Sequence, residues 1–319
     1  MMKRLWIATI ALALLAGRAF ADDGKYPSHP VKVLVPFTAG TNADFVARLF
    51  AQKLTERLHQ PFVVDNKGGA GGVLASQALL TAPPDGYTLM LVSSAHAANP
   101  SLNAHLPYDT EKAFSGVALL GESPTVIAVH PSAHVKTLAQ LVDLSKKTDV
   151  SYSSPGVGSA SHFACEFFRA QAGAKMQNIP FKGSEYVTEL PSGRVQFACP
   201  PIGLVAEYFK NGQLVPVAVS SVKRVPSLPD VPTAIEQGFP RFDYTIWYGV
   251  VASSKTPRAI VDQLAAELSA IDKAPDVIAT LGKQGISPRD MEGSRFDAFI
   301  KSEIVKLHEV AEASGVKPQ

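Results

Sequence analysis

The chain has 319 residues, of which 46 % are hydrophobic, and a formal net charge of +2. This composition excludes global disorder, and the near balance of basic and acidic side chains gives no sign of the basic patch that nucleic-acid binding requires. The length exceeds that of a typical single hydrophobic core and therefore predicts two domains.

The first 21 residues have the three parts of a secretory signal peptide. Lys3 and Arg4 precede an apolar run at 5–16, and Ala19-Phe20-Ala21 is a small-x-small cleavage site. The apolar run is shorter than the roughly 20 residues that a membrane-spanning helix needs. We expect cleavage after Ala21, which removes three cations and leaves 298 of the 319 residues, with a charge of −1, in the periplasm.

Strand-like and helix-like segments alternate along the first part of the mature chain. Strands are expected at 31–36, 61–64 and 88–92, and helices with apolar stripes at 42–59 and 73–80. This β-α-β-α-β order predicts a parallel sheet with helices on its faces.

The alternation restarts near residue 126. Strands are expected at 126–129, 150–153, 177–181, 195–199 and 214–220, and helices at 138–147, 159–173, 184–190 and 202–210. A proline-rich loop at 222–240 precedes a late strand at 246–252 and helices at 257–271, 275–284 and 294–313.

This order predicts an α/β fold of two lobes, with residues 22–123 and 246–319 in lobe 1 and residues 124–245 in lobe 2. The chain then crosses between the lobes twice, near 121–124 and near 244–247. A double crossing makes a hinge, and the cleft beside it is where a ligand binds.

The loop after the first strand has the composition of an anion site. It reads Pro36-Phe37-Thr38-Ala39-Gly40-Thr41-Asn42-Ala43-Asp44 and leads into a helix whose first N–H groups lack intrahelical acceptors. Hydroxyl and amide side chains add donors, and the helix dipole favours an anion. The candidate contacts are Phe37, Thr38, Ala39, Thr41, Asn42 and Asp44. The alternative is an ordinary capped helix start.

The loop at 151–162 is rich in serine and glycine and also precedes a helix. Glycines let a backbone approach a ligand closely, and serines are compact donors. The candidate contacts are Ser154, Gly158, Ser159 and His162, although a core or solvated histidine is the alternative for His162. The resemblance of the 151–162 loop to a dinucleotide-binding loop is incomplete, because the third glycine and the ribose-binding acid are missing.

Other candidates lie at the ends of predicted strands. Ser93 and Ser94 follow the strand at 88–92, and Lys182 and Gly183 follow the strand at 177–181. The glycine-rich stretch 66–72 favours a tight turn packed on the other lobe. Trp247 and Tyr248 either wall the cleft or pack under the hinge, and Cys165 and Cys199 are either a disulfide or two buried thiols.

Enzyme signatures are weak, and no cofactor or metal site is expected. Ser159 does not lie in G-x-S-x-G, and no H-E-x-x-H or C-x-x-C motif occurs. His130 and His134 are separated by Pro131 in a polar loop, not on a helical face. A serine hydrolase that uses Ser159 and His162 on a small ester or amide is the alternative function.

Motifs along the whole mature chain resemble the Bug family of periplasmic solute receptors, the extracytoplasmic subunits of tripartite tricarboxylate transporters. In chain order they are Pro36-Phe37-x-Ala39-Gly40-x-x-x-Asp44, Asp65-Asn66-Lys67-x-Gly69-Ala70-Gly71-Gly72, Pro84-Asp85-Gly86-Tyr87-Thr88-Leu89, Asn99-Pro100, Leu106-Pro107-Tyr108-Asp109, Val135-Lys136-Thr137-Leu138, Tyr152-Ser153-Ser154-x-Gly156-x-Gly158-Ser159-x-x-His162, Pro180-Phe181-Lys182-Gly183, Leu228-Pro229-Asp230-Val231-Pro232-Thr233 and Trp247-x-Gly249.

The resemblance implies a type II "Venus flytrap" that is not an enzyme. It implies that a monomer binds a small carboxylate (a di- or tricarboxylate, an acidic amino acid or an aromatic carboxylate) through N–H groups and hydroxyls. The implied partner is a membrane permease, or alternatively a sensor kinase. Thr41, Asn42 and Ala43 stand where the family usually has glycines and a threonine, which predicts a changed pocket size or donor set.

Overall fold

A computed structural model describes residues 26–314. The predicted signal peptide and its cleavage site at Ala21 lie outside the described residues. Within 26–314, no helix combines the length and the apolar character that crossing a bilayer demands.

The described residues form strands and helices that alternate for most of the chain. The strands are β1 (Val31–Val35), β2 (Phe62–Asn66), β3 (Thr88–Ser93), β4 (Phe114–Pro124), β5 (Val126–Val129), β6 (Val150–Ser154), β7 (Met176–Pro180), β8 (Phe197–Ala198), β9 (Val215–Val219), β10 (Thr245–Ser253) and β11 (Met291–Glu292). The helices are α1 (Asn42–Leu58), α2 (Val73–Thr81), α3 (Ser94–Leu102), α4 (Leu138–Ser145), α5 (Ala160–Ala172), α6 (Glu185–Glu189), α7 (Ile202–Lys210), α8 (Arg258–Asp272), α9 (Pro275–Lys283) and α10 (Ser294–Ser314).

The first sheet has the strand order β11-β4-β10-β3-β1-β2. Strand β1 runs parallel to β2 and β3, as the β-α-β-α-β pattern predicts, whereas β10 is antiparallel to both β3 and β4. The buried β1 residues, such as Val33 and Val35, pack with Phe50 and Leu54 of α1 in one hydrophobic core. This sheet and its helices form lobe 1.

The second sheet has the order β7-β6-β8-β5-β9 and forms lobe 2. Strand β6 is parallel to β7 and β8, and β5 is antiparallel to β8 and β9. The carboxyl end of β6 leads into α5, just as the end of β1 leads into α1. The two lobes therefore present equivalent strand-to-helix loops.

The chain passes between the two sheets at two adjacent places. Strand β4 ends at Pro124 and β5 begins at Val126, and the chain returns from β9 through 220–244 to β10. The Ser220 hydroxyl joins the crossings: it accepts from the Thr125 N–H at 2.8 Å and donates to the Tyr244 carbonyl at 2.5 Å. The predicted two-lobed α/β fold with a double crossing is confirmed.

The two cysteines lie together in lobe 2. Cys165 of α5 and Cys199, next to β8, form a disulfide with a Cα–Cα distance of 5.5 Å. Both residues are fully buried. Of the two possibilities left open by the sequence, the structure shows the bonded pair, which ties α5 to the sheet directly behind the loop at 155–159.

Asp272, the last residue of α8, is a buried acid, and its Oδ1 has no partner among the described residues. Burial, and then the nearby Asp290 carboxylate, raise the pKa of Asp272 to about 7. A helix C-terminus also disfavours negative charge. The folded protein therefore holds this proton up to about pH 7, whereas the unfolded chain releases it near pH 4, so stability falls as the pH rises between these values.

Asp272→Asn is expected to raise the free energy of unfolding by about 1–3 kcal/mol at pH 8 and to give no gain at pH 4. Urea unfolding at pH 4, 6 and 8 measures this difference. Asp262→Asn is the matched control, because Asp262 lies on the exposed face of the same helix, paired with Arg258, so that its replacement relieves no buried charge and should give no stabilisation at pH 8. Equal stabilisation at pH 4 and pH 8 would show that titration of Asp272 is not the cause.

Candidate functional site

A cavity of about 470 Å³ lies between the two lobes beside the hinge. Its lining comes from the ends of strands and the starts of helices in both lobes. The lining residues are Pro36, Phe37, Thr38, Thr41, Asn42, Ala43, Gly68, Gly69, Gly71, Ser93, Pro155, Gly156, Val157, Ser159, Ala160, Ser161, Phe181, Lys182, Gly183, Ser184, Tyr186, Pro201, Leu204, Ile246 and Tyr248.

The start of α1 forms the lobe 1 side of the cavity. The Thr41 side chain caps the helix: its Oγ1 accepts from the Asp44 N–H at 3.3 Å and donates to the Thr38 carbonyl at 3.1 Å. Within the described residues, the N–H groups of Asn42 and Ala43 have no acceptor. These two residues line the cavity, so the positive end of the α1 dipole is directed towards it.

The buried Asp44 carboxylate stabilises the conformation of this loop. Its carboxylate accepts from the Gly40 N–H at 3.0 Å, from Arg48 Nε at 3.0 Å and from Asn66 Nδ2 at 2.9 Å. Burial acts to raise the pKa of Asp44, but the hydrogen bonds from Arg48, Gly40 and Asn66 outweigh it and hold the pKa below its ordinary value. Asp44 is therefore ionised, and its carboxylate accepts hydrogen bonds from three groups of lobe 1. It is not among the residues that line the cavity.

The start of α5 forms the lobe 2 side in the same way. Ser159 Oγ accepts from the His162 N–H at 3.2 Å and donates to the Gly156 carbonyl at 2.7 Å. Among the described residues, the N–H groups of Ala160 and Ser161 have no acceptor, and both residues line the cavity. Two helix N-termini, one from each lobe, therefore converge on one cavity.

Lys182 is the one charged side chain among the residues of 26–314 that line the cavity. It follows β7, next to Gly183, at the position that the sequence had singled out. With the two helix N-termini, it makes the electrostatic potential of the cavity favourable to an anion.

Several residues predicted as contacts lie outside the lining. Ala39 is exposed, and Ser94 is buried, with its Oγ 3.0 Å from the Tyr244 hydroxyl. Ser154 is buried at the end of β6, and Gly158 packs on Gly71. His162 is buried behind Gly158, where burial lowers the pKa of the imidazole and keeps it neutral. Apart from Ala39, these residues are buried behind the surface of the cavity, as Asp44 is.

The remaining predicted contacts are brought together. Phe37, Thr38, Thr41, Asn42, Ser93, Ser159, Lys182 and Gly183 all line the cavity, although they come from four separate segments of the chain.

Other lining residues, notably Tyr186, Leu204 and Ile246, were not predicted from the sequence. Tyr186 and Leu204 lie on α6 and α7, where one residue of a helix face turns towards the cleft and no compositional signal marks it. Of the aromatic pair at the second crossing, Tyr248 lines the cavity. Trp247 instead donates from Nε1 to Glu303 Oε2 at 3.0 Å, under the hinge.

Glycines form close contacts between the two lobes. Gly71 of lobe 1 lies against Gly158 of lobe 2, where a Cβ on Gly158 would be 3.5 Å from the Gly71 Cα. A Cβ on Gly183 would overlap with the Thr38 side chain, and a Cβ on Gly203 would overlap with the backbone carbonyl of Gln284. The two lobes are therefore in direct contact in this structure.

The family model described as "Tripartite tricarboxylate transporter family receptor" matches residues 46–316. The chain belongs to this family. The curated protein BugT of Bordetella pertussis is 32 % identical to it, and the match covers 97 % of this chain and 95 % of BugT. The resemblance to Bug receptors stated from the motifs is thus confirmed.

Solved structures of family relatives share the fold. The periplasmic binding protein BugD superposes with a TM-score of 0.85 at 31 % identity, covering 92 % of this chain and 100 % of BugD. Rpa4515 of R. palustris, solved with adipate, gives 0.86 at 28 % identity, covering 92 % and 100 %. MatC of Rhodopseudomonas palustris, solved with malate, gives 0.83 at 30 % identity, covering 89 % and 99 %.

Proposed function

We propose that this receptor captures a small carboxylate between its lobes, closes over it and presents the closed form to a membrane permease. The observation that carries the proposal is the convergence of the α1 and α5 N-termini on one cavity, in which Lys182 is the single cation contributed by residues 26–314. Free N–H groups, hydroxyls and helix dipoles are sufficient to bind a carboxylate without an arginine. The adipate and malate bound to Rpa4515 and MatC support the same chemistry.

The proposed contacts are the cavity-lining members of the predicted set. The carboxylate would accept from the free N–H groups of Asn42 and Ala43 on one side and of Ala160 and Ser161 on the other, with Lys182 balancing its charge. A ligand that contacts both lobes has a higher affinity for the closed form than for the open form, and this difference in affinity drives closure. The proposed lobe boundaries remain 22–123 with 246–319, and 124–245.

We assign no catalytic step to this site. The serine-hydrolase alternative requires the Ser159 hydroxyl to donate to a base, but this hydroxyl donates to the Gly156 carbonyl at 2.7 Å. The His162 imidazole lies behind the loop, where its Nδ1 faces the Gly158 N–H at 3.4 Å. A periplasmic location, a permease partner and a monomeric state belong to this same proposal.

A thermal-shift screen of the refolded, ligand-stripped protein against a panel of carboxylates tests the proposal. A ligand at about 100 times its dissociation constant adds about 2.7 kcal/mol of stability, which shifts the melting temperature by several degrees. The panel should contain C4 to C6 dicarboxylates, tricarboxylates, acidic amino acids and aromatic carboxylates, with the matching neutral amides as controls. Absence of a shift with every acid would overturn the carboxylate proposal.

A further inference from the structure

One end of the cavity lies against the hinge and is lined by Pro201, Leu204 and Ile246. Ile246 pairs with Ser123 in the ladder between β4 and β10, and Pro201 bridges to Thr125, so both stand at the first crossing between the lobes. The Leu204 N–H donates to the Pro201 carbonyl at 3.1 Å in the first turn of α7. These three residues are here called the hinge end of the cavity.

The groups proposed to hold the carboxylate lie away from the hinge end. In lobe 1 the strand order β10-β3-β1 places the start of α1 two strands from Ile246, and in lobe 2 the order β8-β6-β7 places Lys182 two strands from Pro201. Neighbouring strands are about 4.8 Å apart, so each separation is about 10 Å. The start of α5, which follows β6, lies between. A ligand whose carboxylate is held beside Lys182 must extend towards the hinge to fill the cavity.

The hinge end offers hydrocarbon surface and no hydrogen-bonding side chain. The side chains of proline, leucine and isoleucine have neither donor nor acceptor, and the Leu204 N–H is already bonded to the Pro201 carbonyl. Ile202 and Gly203, which begin α7, are not among the described residues that line the cavity. Apolar ligand surface is therefore favoured at this end in proportion to the area that it removes from water.

The two tyrosines of the lining add aromatic surface. The hydroxyl of Tyr186, in lobe 2, lies 3.3 Å from Ser161 Oγ, and the hydroxyl of Tyr248, in lobe 1, is bonded to the Asn42 side chain. Because both hydroxyls have partners within the protein, the rings are the parts of these residues that remain for a ligand. Such rings pack well against another aromatic ring in an offset or edge-to-face arrangement.

We infer that the hinge end is an apolar subsite in which Leu204 determines specificity, and that the ligand is a carboxylate with an aromatic or branched apolar body that reaches it. This inference rests on the proposed function and narrows its substrate class. The size of the cavity, about 470 Å³, supports it, because pockets of roughly 300–1,000 Å³ enclose ligands much larger than a C4 acid.

Pairs of acids with the same carboxylates and different bodies test the inference. Isothermal titration of the refolded, ligand-stripped protein is done with acetate and phenylacetate, with propanoate and 3-phenylpropanoate, and with succinate and phenylsuccinate. In the pair whose length fits, the phenyl acid should bind about 10- to 100-fold more tightly than its parent acid, because burial of the ring at the hinge end adds to an unchanged carboxylate contact.

Leu204→Asn keeps a similar volume but makes the hinge end polar. Leu204 is half-buried, and the variant should bind the phenyl acid about three- to tenfold more weakly and the parent acid unchanged. Leu228→Asn is the matched control, since Leu228 is also partly buried against the same hydrophobic cluster of lobe 2 but does not line the cavity. It should lose similar stability and keep both affinities.

Leu204→Phe tests the same subsite by filling it. The larger side chain should also reduce the affinity for the phenyl acid, while the parent acid, which does not reach the hinge end, should bind as before. The parent acid is thus the internal control for folding and closure in both variants. Equal losses for the two acids of a pair would show that Leu204 only maintains the lobe, and would overturn the inference.

The two proposals fail in different ways. Parent acids that bind as tightly as their phenyl partners overturn the inference and leave the carboxylate receptor intact. The same is true if only compact C4 to C6 acids without an apolar body shift the melting temperature. A shift confined to aromatic or branched acids supports both proposals. If no acid in the pairs or in the full panel binds, both fail together.

Discussion

Gly203→Ala is expected to weaken ligand binding about 10- to 100-fold without destabilising the unliganded protein. Gly203 lies in the first turn of α7 in lobe 2, and an added Cβ would overlap with the backbone carbonyl of Gln284 in lobe 1. The backbone cannot rotate away as a side chain can, so the lobes must stay further apart. Overpacking of this kind typically costs about 1–3 kcal/mol. Here it should destabilise only the closed form.

The effect on the open form should be neutral or favourable. The backbone angles of Gly203 are accessible to alanine, which is preferred over glycine in helices by up to about 1 kcal/mol. Titration calorimetry measures the affinity, and small-angle scattering with saturating ligand should show a larger radius of gyration than for the wild type. These readouts separate a failure to close from a failure to fold.

Gly282→Ala is the matched control for this substitution. Gly282 is also a helical glycine, in α9, but a Cβ there meets nothing within 4 Å. It should change neither affinity nor closure. If Gly203→Ala lowers the stability of the unliganded protein and leaves affinity unchanged, the Gly203–Gln284 contact persists in the open form and does not limit closure.

Ser159→Trp is expected to abolish binding of every acid that shifts the melting temperature of the wild type. Ser159 is buried, lines the cavity and stands at the start of α5, so an indole there occupies the space of the ligand carboxylate. The loss of the helix cap should cost only about 1 kcal/mol of stability, which leaves the protein folded. Thermal unfolding and titration calorimetry on the same sample measure both effects.

Ser159→Ala distinguishes the effect of losing the helix cap from the effect of the added side-chain volume. It removes the same bond to the His162 N–H but adds no volume, so it should lose a similar amount of stability and keep most of its affinity. Unchanged binding by Ser159→Trp would remove the loop at 155–159 from the site. Equal binding losses in both variants would assign the effect to the cap.

The parts of the site that could be predicted from the sequence are those set by local chemistry. The loops at 36–44 and 151–162 could be recognised because hydroxyl residues, glycines and a following amphipathic helix are adjacent in the chain. Their convergence follows from a general rule that the carboxyl ends of parallel strands meet at one sheet edge. Lys182 and Gly183 were found for the same reason, since they follow β7.

The elements that the sequence did not reveal lack a clear periodicity. Strand β4 contains two glycines and is buried on nearly its whole length, so it shows no alternation of polar and apolar residues. Helix α3 is buried on most sides and contains Pro100, which removes the apolar stripe and adds an apparent helix breaker. Burial by distant parts of the chain, not local preference, determines both structures.

Composition, strand–helix alternation and the ordered motifs were enough to determine the two-lobed α/β fold and the receptor family, because these depend on patterns that repeat along the chain. Only the tertiary structure decided which polar residues face the ligand. Asp44 and Asn42 are two residues apart in one loop, yet Asp44 is held behind the loop by hydrogen bonds from Arg48 and Asn66, whereas Asn42 lines the cavity beside Tyr248. That difference depends on Arg48, Asn66 and Tyr248, whose positions are set by folding and not by sequence proximity.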